Sequence, residues 1–216
     1  MTVATEPPPI RTRPEQTSRA GLLFPLFLLS GFAAILYQVV WQRTLFAVVG
    51  INVEAVTLIV TTFIFGLGLG SLLGGRLSHG TPDQLVRRFA AIELAIGAFG
   101  LVSLPLMRQV GEWTTSLTPL ATGVVTFGVL LIPTLGMGAT LPILVAHYVR
   151  RSGNVGTAVG GLYFVNTLGS ALAALTASYA MMRALGQSGV IWVAVSCNVV
   201  VATTVWTLMR DREEPA

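Results

Sequence analysis

The chain has 216 residues, of which 53% are hydrophobic and only 10% are charged, and its mean hydropathy is +0.76. A soluble globular domain carries about 25% charged residues. A soluble enzyme is therefore excluded, and most of the surface must face lipid or other apolar protein. The net charge of +4 comes from 13 arginines and no lysine against nine acids. Because the arginines lie singly or in pairs between apolar runs, they indicate orientation in a membrane and not a nucleic-acid-binding face.

Six apolar runs predict six transmembrane helices, since a helix needs about 20 apolar residues to cross the hydrocarbon core. The runs cover residues 21–40, 55–75, 89–107, 113–149, 152–182 and 184–209. The first run exceeds the roughly 7 to 15 apolar residues of a cleavable signal peptide, so we expect it to remain as a helix. The fourth is predicted to be one helix from about Leu120 to Val149, kinked where Pro133 and Pro142 remove backbone donors.

The predicted domain organisation is a six-helix transmembrane domain over residues 21–209 between two short tails. Residues 1–20 hold four prolines and almost nothing that forms a buried face, which predicts a flexible cytoplasmic tail. Residues 210–216 are predicted to be the second cytoplasmic tail. Six crossings place both termini on one side, and ten of the 13 arginines lie on that side. This asymmetry predicts that both termini are cytoplasmic.

Four stretches form a specific combination of motifs. They are SGFAAILYQVVWQR at residues 30–43, GLGLGSLLGGR at 66–76, GMGATLP at 136–142 and GLYFVNTLG at 161–169. From about Leu22 to Met209 the chain resembles the membrane half of bacterial fused proteins that join a major-facilitator-like helical region to a spermidine-synthase-like domain. The resemblance implies an all-α, six-helix bundle in the bacterial inner membrane, organised like half of a major facilitator transporter. Helices one to three and four to six would then be inverted repeats.

The sequence departs from that family in two places. It has no glycine-rich strand-to-helix turn with an acidic ribose partner, so the family's aminopropyltransferase-like chemistry has nothing to map onto. We therefore expect no enzyme activity, no catalytic residue and no cofactor. Ser78 and His79 stand where major-facilitator proteins usually carry an Asp-Arg pair. The lone His147 predicts no metal site, and the single Cys197 permits no internal disulfide.

Small residues repeat at helical spacing on two predicted helices. Gly66, Gly70 and Gly74 recur every four residues, which puts them on one face where another backbone can approach closely. A similar face on the fifth helix comprises Gly156, Gly160, Gly161, Gly169, Ala173 and Ala177. We expect these faces to pack inside the bundle, where the two can meet. The alternative is a contact with another subunit or a second copy of the chain.

Glu93 is the only charge within the third apolar run. We place it about one turn from the cytoplasmic end, where it reaches interfacial water or pairs with Arg87 or Arg88. The alternative hypothesis is a cation site or a proton carrier, because a carboxylate in hydrocarbon costs several kcal/mol unless it is paired, protonated or hydrated.

Polar and aromatic side chains crowd the outer end of the first predicted helix, namely Tyr37, Gln38, Trp41, Gln42 and Arg43. Tyr37 and Trp41 are four residues apart and so share one helix face. They are interpreted as an outer aromatic belt, with Arg43 paired to Glu54 across a short loop. The alternative is a vestibule that recognises a polar ligand.

Three further candidate polar residues lie on the last two predicted helices. Tyr163 and Asn166 belong to the fifth helix and Asn198 to the sixth. At these depths each polar group needs a hydrogen-bond partner, so we expect them to join helices to one another.

Three function classes remain, all with the lipid bilayer as surroundings. The first is a non-catalytic membrane module that handles a small, polyamine-like cationic metabolite. The second is a scaffold or accessory subunit that packs into a larger membrane complex, or a homo-oligomer, through the glycine faces. The third is the membrane subunit of a split aminopropyltransferase-like enzyme whose synthase-like domain is a separate chain. Nucleic acid is not an expected partner.

Overall fold

The computed structural model describes residues 21–49, 53–114 and 116–210, and this part of the chain is helical without any strand. The helices are α1 (Leu23–Val49), α2 (Val53–Leu77), α3 (Pro82–Trp113), α4 (Pro119–Ser152), α5 (Val155–Thr176), a π-helical segment (Ala177–Met181) and α6 (Met182–Arg210). The all-helical prediction is thus confirmed for the described residues. The predicted tails at residues 1–20 and 211–216 lie outside them.

Helix caps explain where the structure departs from the predicted boundaries. The hydropathy run for the third helix starts at residue 89, but α3 begins at Pro82, because Thr81 and Gln84 form a reciprocal capping box around it. At the start of α4, the side chain of Thr118 accepts a hydrogen bond from the backbone N–H of Ala121. α4 is a single helix, as predicted. The first helix also extends beyond residue 40, to Val49. A run of apolar residues does not mark the end of a helix where that end carries charged side chains.

Five stretches of the described residues are long and apolar enough to cross a membrane. They are Leu23–Ala47, Val53–Leu77, Pro82–Trp113, Leu120–Arg150 and Val155–Thr207. The predicted fifth and sixth crossings are joined in the last stretch, which has 53 residues. Its helix continues through Arg183, where the sequence predicted the boundary, and is interrupted at Gly186 with φ 64° and ψ −177°. That backbone conformation is essentially restricted to glycine.

Helix packing follows a simple pattern of pairs. α2 packs along α4, α1 along both α5 and α6, and α3 along both α4 and α6. Gly66 faces Thr134 and Gly74 faces Ala139, so α2 and α4 run parallel. Apolar side chains on the outer faces of these helices, such as Ile64 at 68% exposure, point away from the bundle. Exposed apolar faces of this kind suit a lipid environment.

The chain reverses direction between α5 and α6. Gly161 contacts Phe24 and Ser170 donates to the carbonyl of Gly31, so α5 runs parallel to α1. On α6 the order is inverted, because Asn198 pairs with Tyr37 whereas Gln187 pairs with Thr44. α6 is therefore antiparallel to α1, and the reversal falls around Gly186.

Candidate functional site

Glu93 lies in the interior of α3 with 0% of its surface exposed. It is eleven residues beyond Pro82, which is about 16 Å along the helix axis at 1.5 Å per residue. The predicted contact of Glu93 with interfacial water is therefore wrong, because the bundle encloses the side chain; its depth of about one turn in the membrane stays a prediction. Glu93 is a core side chain and not an interfacial one.

Both carboxylate oxygens of Glu93 accept hydrogen bonds from neutral side chains of other helices. Ser30 Oγ on α1 donates to Oε1 at 2.6 Å, and Asn198 Nδ2 on α6 donates to Oε2 at 2.7 Å. No arginine of the described residues forms an ion pair with Glu93. Arg88 instead donates to the backbone carbonyls of Leu77 and His79. The predicted pairing of Glu93 with Arg87 or Arg88 is consequently absent.

Tyr37 extends this network by one further hydrogen bond. Its hydroxyl donates to Asn198 Oδ1 at 2.8 Å, which leaves Asn198 Nδ2 directed at the carboxylate. The ring is fully buried and stacks on Trp41 with centroids 5.2 Å apart. Gly100 makes room for it, because a Cβ there would lie 2.6 Å from the Tyr37 ring. The cluster of Ser30, Tyr37, Glu93 and Asn198 is called the carboxylate network below.

The predicted outer aromatic belt is wrong for Tyr37 and Trp41, since both side chains are fully buried. α1 continues to Val49, so these residues lie inside the bundle and not at its rim. Arg43 and Glu54 are both exposed, and no ion pair joins them within the described part of the chain. Trp41 carries the one buried side-chain polar atom, Nε1, that has no hydrogen-bond partner among the described residues.

A cavity of about 90 Å³ adjoins the carboxylate network. Ser30 and Asn198 line it on the side of Glu93, and the other polar side chains in its wall are Gln38, Thr140, Asn166 and Ser170. Glu93 itself is not in the wall, so the carboxylate is reached from the cavity through Ser30 or Asn198. The rest of the wall is apolar, formed by Ala34, Ile35, Phe63, Leu67, Ile96 and Met137. A space of this size accommodates several water molecules beside its polar side chains.

The remaining predicted polar residues divide between the cavity and the outside. Asn166 lines the cavity and donates to the carbonyl of Phe27 at 3.3 Å, which ties α5 to α1. Gln38 is half-buried in the same wall. Tyr163 is 61% exposed and points away from it. The structure therefore brings Gln38, Asn166 and Asn198 together around one space and leaves Tyr163 and Arg43 outside.

The two glycine faces contact different helices. Gly66, Gly70 and Gly74 lie against Thr134, Leu135 and Ala139 of α4 in the same chain. Gly169 lies against Leu28 of α1. By contrast Gly156 and Gly160 are exposed, and a Cβ at Gly160 would meet no atom within 4 Å. The faces do not meet one another, because α1 and α4 each occupy one of them.

Ser30 is the member of the network that sequence analysis did not single out. A signal for it was present, since Ser30 and Tyr37 are seven residues apart and therefore lie on the same face of α1. Ser170 was missed in the same way and donates to the carbonyl of Gly31 at 3.2 Å. Single serines in apolar runs are easily overlooked because their hydroxyls can also bond to their own helix.

Comparisons with known proteins supply no assignment for this site. No protein-family model, no curated protein and no solved structure matches the chain. Within the described residues no three His, Cys, Asp or Glu side chains gather as a metal site.

Proposed function

We propose that the chain is an integral membrane module with six crossings, which takes up a small cation at Glu93 without catalysing a reaction. The crossing number is supported by the length of Val155–Thr207. Its 53 residues would extend about 80 Å as one helix, against a hydrocarbon core of about 30 Å. The interruption at Gly186 and the opposite directions of α5 and α6 beside α1 divide that stretch into two crossings.

The pattern of helix pairs supports two inverted three-helix repeats. Exchange of α1 with α4, α2 with α5 and α3 with α6 maps the α2–α4 pair onto α5–α1 and the α3–α4 pair onto α6–α1. The α3–α6 pair maps onto itself. Directions agree as well, because α2–α4 and α5–α1 are both parallel. The resemblance to half of a major facilitator transporter implies the same arrangement. It also implies that the protein lies in a bacterial inner membrane.

The carboxylate network lies where the proposed repeats meet. Glu93 belongs to the first repeat and Asn198 to the second, and their hydrogen bond joins the self-mapped pair α3–α6. Transporters built from inverted repeats bind their substrates and coupling ions at this interface, near the middle of the bilayer. The position favours uptake of a ligand over a purely structural role.

One observation carries the functional proposal: Glu93 is fully buried and has only neutral hydrogen-bond donors. An ionised carboxylate at membrane depth without a cationic partner costs several kcal/mol. A cation at the network removes that cost. The resemblance implies a polyamine-like metabolite as the substrate class. The asymmetric distribution of arginines supports a cytoplasmic location for both termini.

The other two function classes have less support. The scaffold hypothesis relied on the glycine faces. Gly66, Gly70 and Gly74 pack on α4 of the same chain, which leaves Gly156 and Gly160 as the exposed glycines of those faces. The hypothesis of a split aminopropyltransferase-like enzyme relies on the resemblance alone. Neither accounts for a carboxylate buried inside the bundle beside a cavity that is partly lined by hydroxyl and amide side chains.

Uptake of labelled spermidine into proteoliposomes tests the proposal. We expect Glu93→Gln to reduce uptake to background and leave folding intact, because a glutamine amide can accept from Asn198 and donate to Ser30. Glu54→Gln is the matched control, since Glu54 is an exposed carboxylate whose replacement should leave uptake unchanged. Equal uptake by the unaltered protein and Glu93→Gln would contradict the role of Glu93, and no uptake by the unaltered protein would contradict a polyamine substrate.

A further inference from the structure

We propose that the cation taken up at Glu93 is a proton, which reaches the carboxylate from the cavity through the hydroxyl of Ser30. This inference rests on the proposed function and names the species bound at the same site. It assigns Ser30 as the group that passes the proton and Asn198 and Tyr37 as positioning residues.

The surroundings of the carboxylate favour a proton over a larger, hydrated cation. Both oxygens of Glu93 are already engaged, by Ser30 at 2.6 Å and by Asn198 at 2.7 Å. Because Glu93 itself is not in the cavity wall, a larger cation would have to displace Ser30 or Asn198 to touch the carboxylate. The cavity beside them measures about 90 Å³; the polar side chains in its otherwise apolar wall are hydroxyl and amide groups, and no carboxylate lines it.

The two neighbours of the carboxylate differ in what they can do with a proton. A serine hydroxyl both donates and accepts, whereas an amide nitrogen only donates. Ser30 donates from Oγ to Glu93, and the same residue lines the cavity. Asn198 Nδ2 donates to the second oxygen, and the hydroxyl of Tyr37 holds the amide in that orientation. Only Ser30 therefore connects the cavity with the carboxylate by a group that can exchange its proton.

The transfer balances as a relay of one proton. A hydronium ion in the cavity gives a proton to Ser30 Oγ, while the original hydroxyl proton of Ser30 moves to Glu93 Oε1. The O–H bond of Ser30 is broken and reformed, and the new O–H bond is on the carboxyl group. Water remains in the cavity and Glu93 becomes a neutral acid, whose proton then points back to Ser30. Release follows the same steps in reverse.

Among the described groups around Glu93, its own carboxyl group is the one that we expect to exchange the proton. The titratable side chains that interact electrostatically with it are Tyr37 on α1 and Cys197 on α6. No basic side chain of the described residues bonds to it. On α4, the buried imidazole of His147 is bonded through Nδ1 to the carbonyl of Pro82 at 2.9 Å. The proton on Glu93 is therefore the one that an experiment on this site observes.

Infrared spectroscopy of the purified full chain detects that proton directly. The carbonyl stretch of a protonated carboxyl should appear in the unaltered protein as the pH is lowered, shift on transfer to heavy water, and be missing from Glu93→Gln. Should Glu93→Gln fail to fold, Glu93→Asp serves instead, because it keeps the carboxyl and displaces the band. Absence of any band that depends on residue 93, across the whole pH range in which the protein stays folded, would overturn the proposal.

Ser30→Ala tests the route. The band should remain, but its exchange in heavy water should slow by about a hundredfold, which is the usual contribution of a positioned proton-transfer group. Ser170→Ala is the matched control, since Ser170 lines the same cavity and bonds to a backbone carbonyl instead of Glu93. Equal exchange rates in the two variants would overturn the role of Ser30.

The two proposals fail in different ways. Loss of spermidine uptake in Glu93→Gln without a carboxyl band supports the proposed function and overturns the proton. A carboxyl band with uptake that does not depend on Glu93 establishes the proton site and overturns the proposed function.

Discussion

Replacing Gly74 by alanine should push α2 away from α4. A Cβ at position 74 would lie 2.6 Å from the carbonyl oxygen of Ala139 and 2.7 Å from its Cα, and both are backbone atoms that no rotamer change can move. Ordinary van der Waals contact begins at 3.4 Å, so the backbones must separate by about 0.8 Å in an interior that is already close-packed. We expect the free energy of unfolding to fall by about 1 to 3 kcal/mol.

Gly75 provides a matched control one residue along the same helix. It is exposed, and a Cβ there would meet no atom within 4 Å. Gly75→Ala should therefore raise stability by about 0.5 to 1 kcal/mol, because alanine loses less conformational freedom in a helix than glycine does. Thermal unfolding of both variants in the same detergent measures the difference. If Gly74→Ala is as stable as Gly75→Ala, α2 and α4 are not in backbone contact and the packing argument is refuted.

Two further predictions concern the path of the chain. Gly186→Ala should destabilise the protein by about 1 to 3 kcal/mol, because φ 64° with ψ −177° is strained for any residue with a Cβ, whereas Gly160→Ala at an exposed helical position should not; equal stabilities in thermal unfolding would argue against the reversal at Gly186. For the orientation, a cysteine at Ser78 in a Cys197→Ser background should resist an impermeant thiol reagent in intact cells, and a cysteine at Gly111 should react. The opposite labelling pattern would invert the proposed topology.

Part of the architecture was accessible before any tertiary structure. The low charge content and the long apolar runs predicted an all-helical chain, and the fourth run was predicted to be a single helix. The start of α3 was also readable, since Thr81, Pro82 and Gln84 form a capping sequence. An apolar run by itself starts this helix seven residues later, because the first two turns of α3 carry Asp83, Arg87 and Arg88. The burial of Glu93 depends on its neighbours from α1 and α6 and not on where α3 begins.

The candidate site was predictable residue by residue but not as an assembly. Glu93, Tyr37 and Asn198 each drew attention as polar groups in apolar surroundings. Glu93 and Asn198 are 105 residues apart in the chain, and Tyr37 and Asn198 are 161 residues apart. No periodicity links such distant positions. The aromatic belt was a reasonable interpretation of Tyr37 and Trp41 beside a helix end at residue 40. It failed because α1 continues to Val49 and carries both rings into the bundle.

Composition and run length alone establish that this chain is helical and apolar on its surface, because burying backbone polar groups in lipid is a local requirement that each helix meets by itself. Which helix faces which is a different kind of question. Gly66, Gly70 and Gly74 made a close contact predictable, yet only the packed bundle shows that α4 supplies it. The same holds for Glu93, whose donors come from α1 and α6. Those contacts depend on the relative placement of helices far apart in sequence, and that placement is a property of the whole bundle.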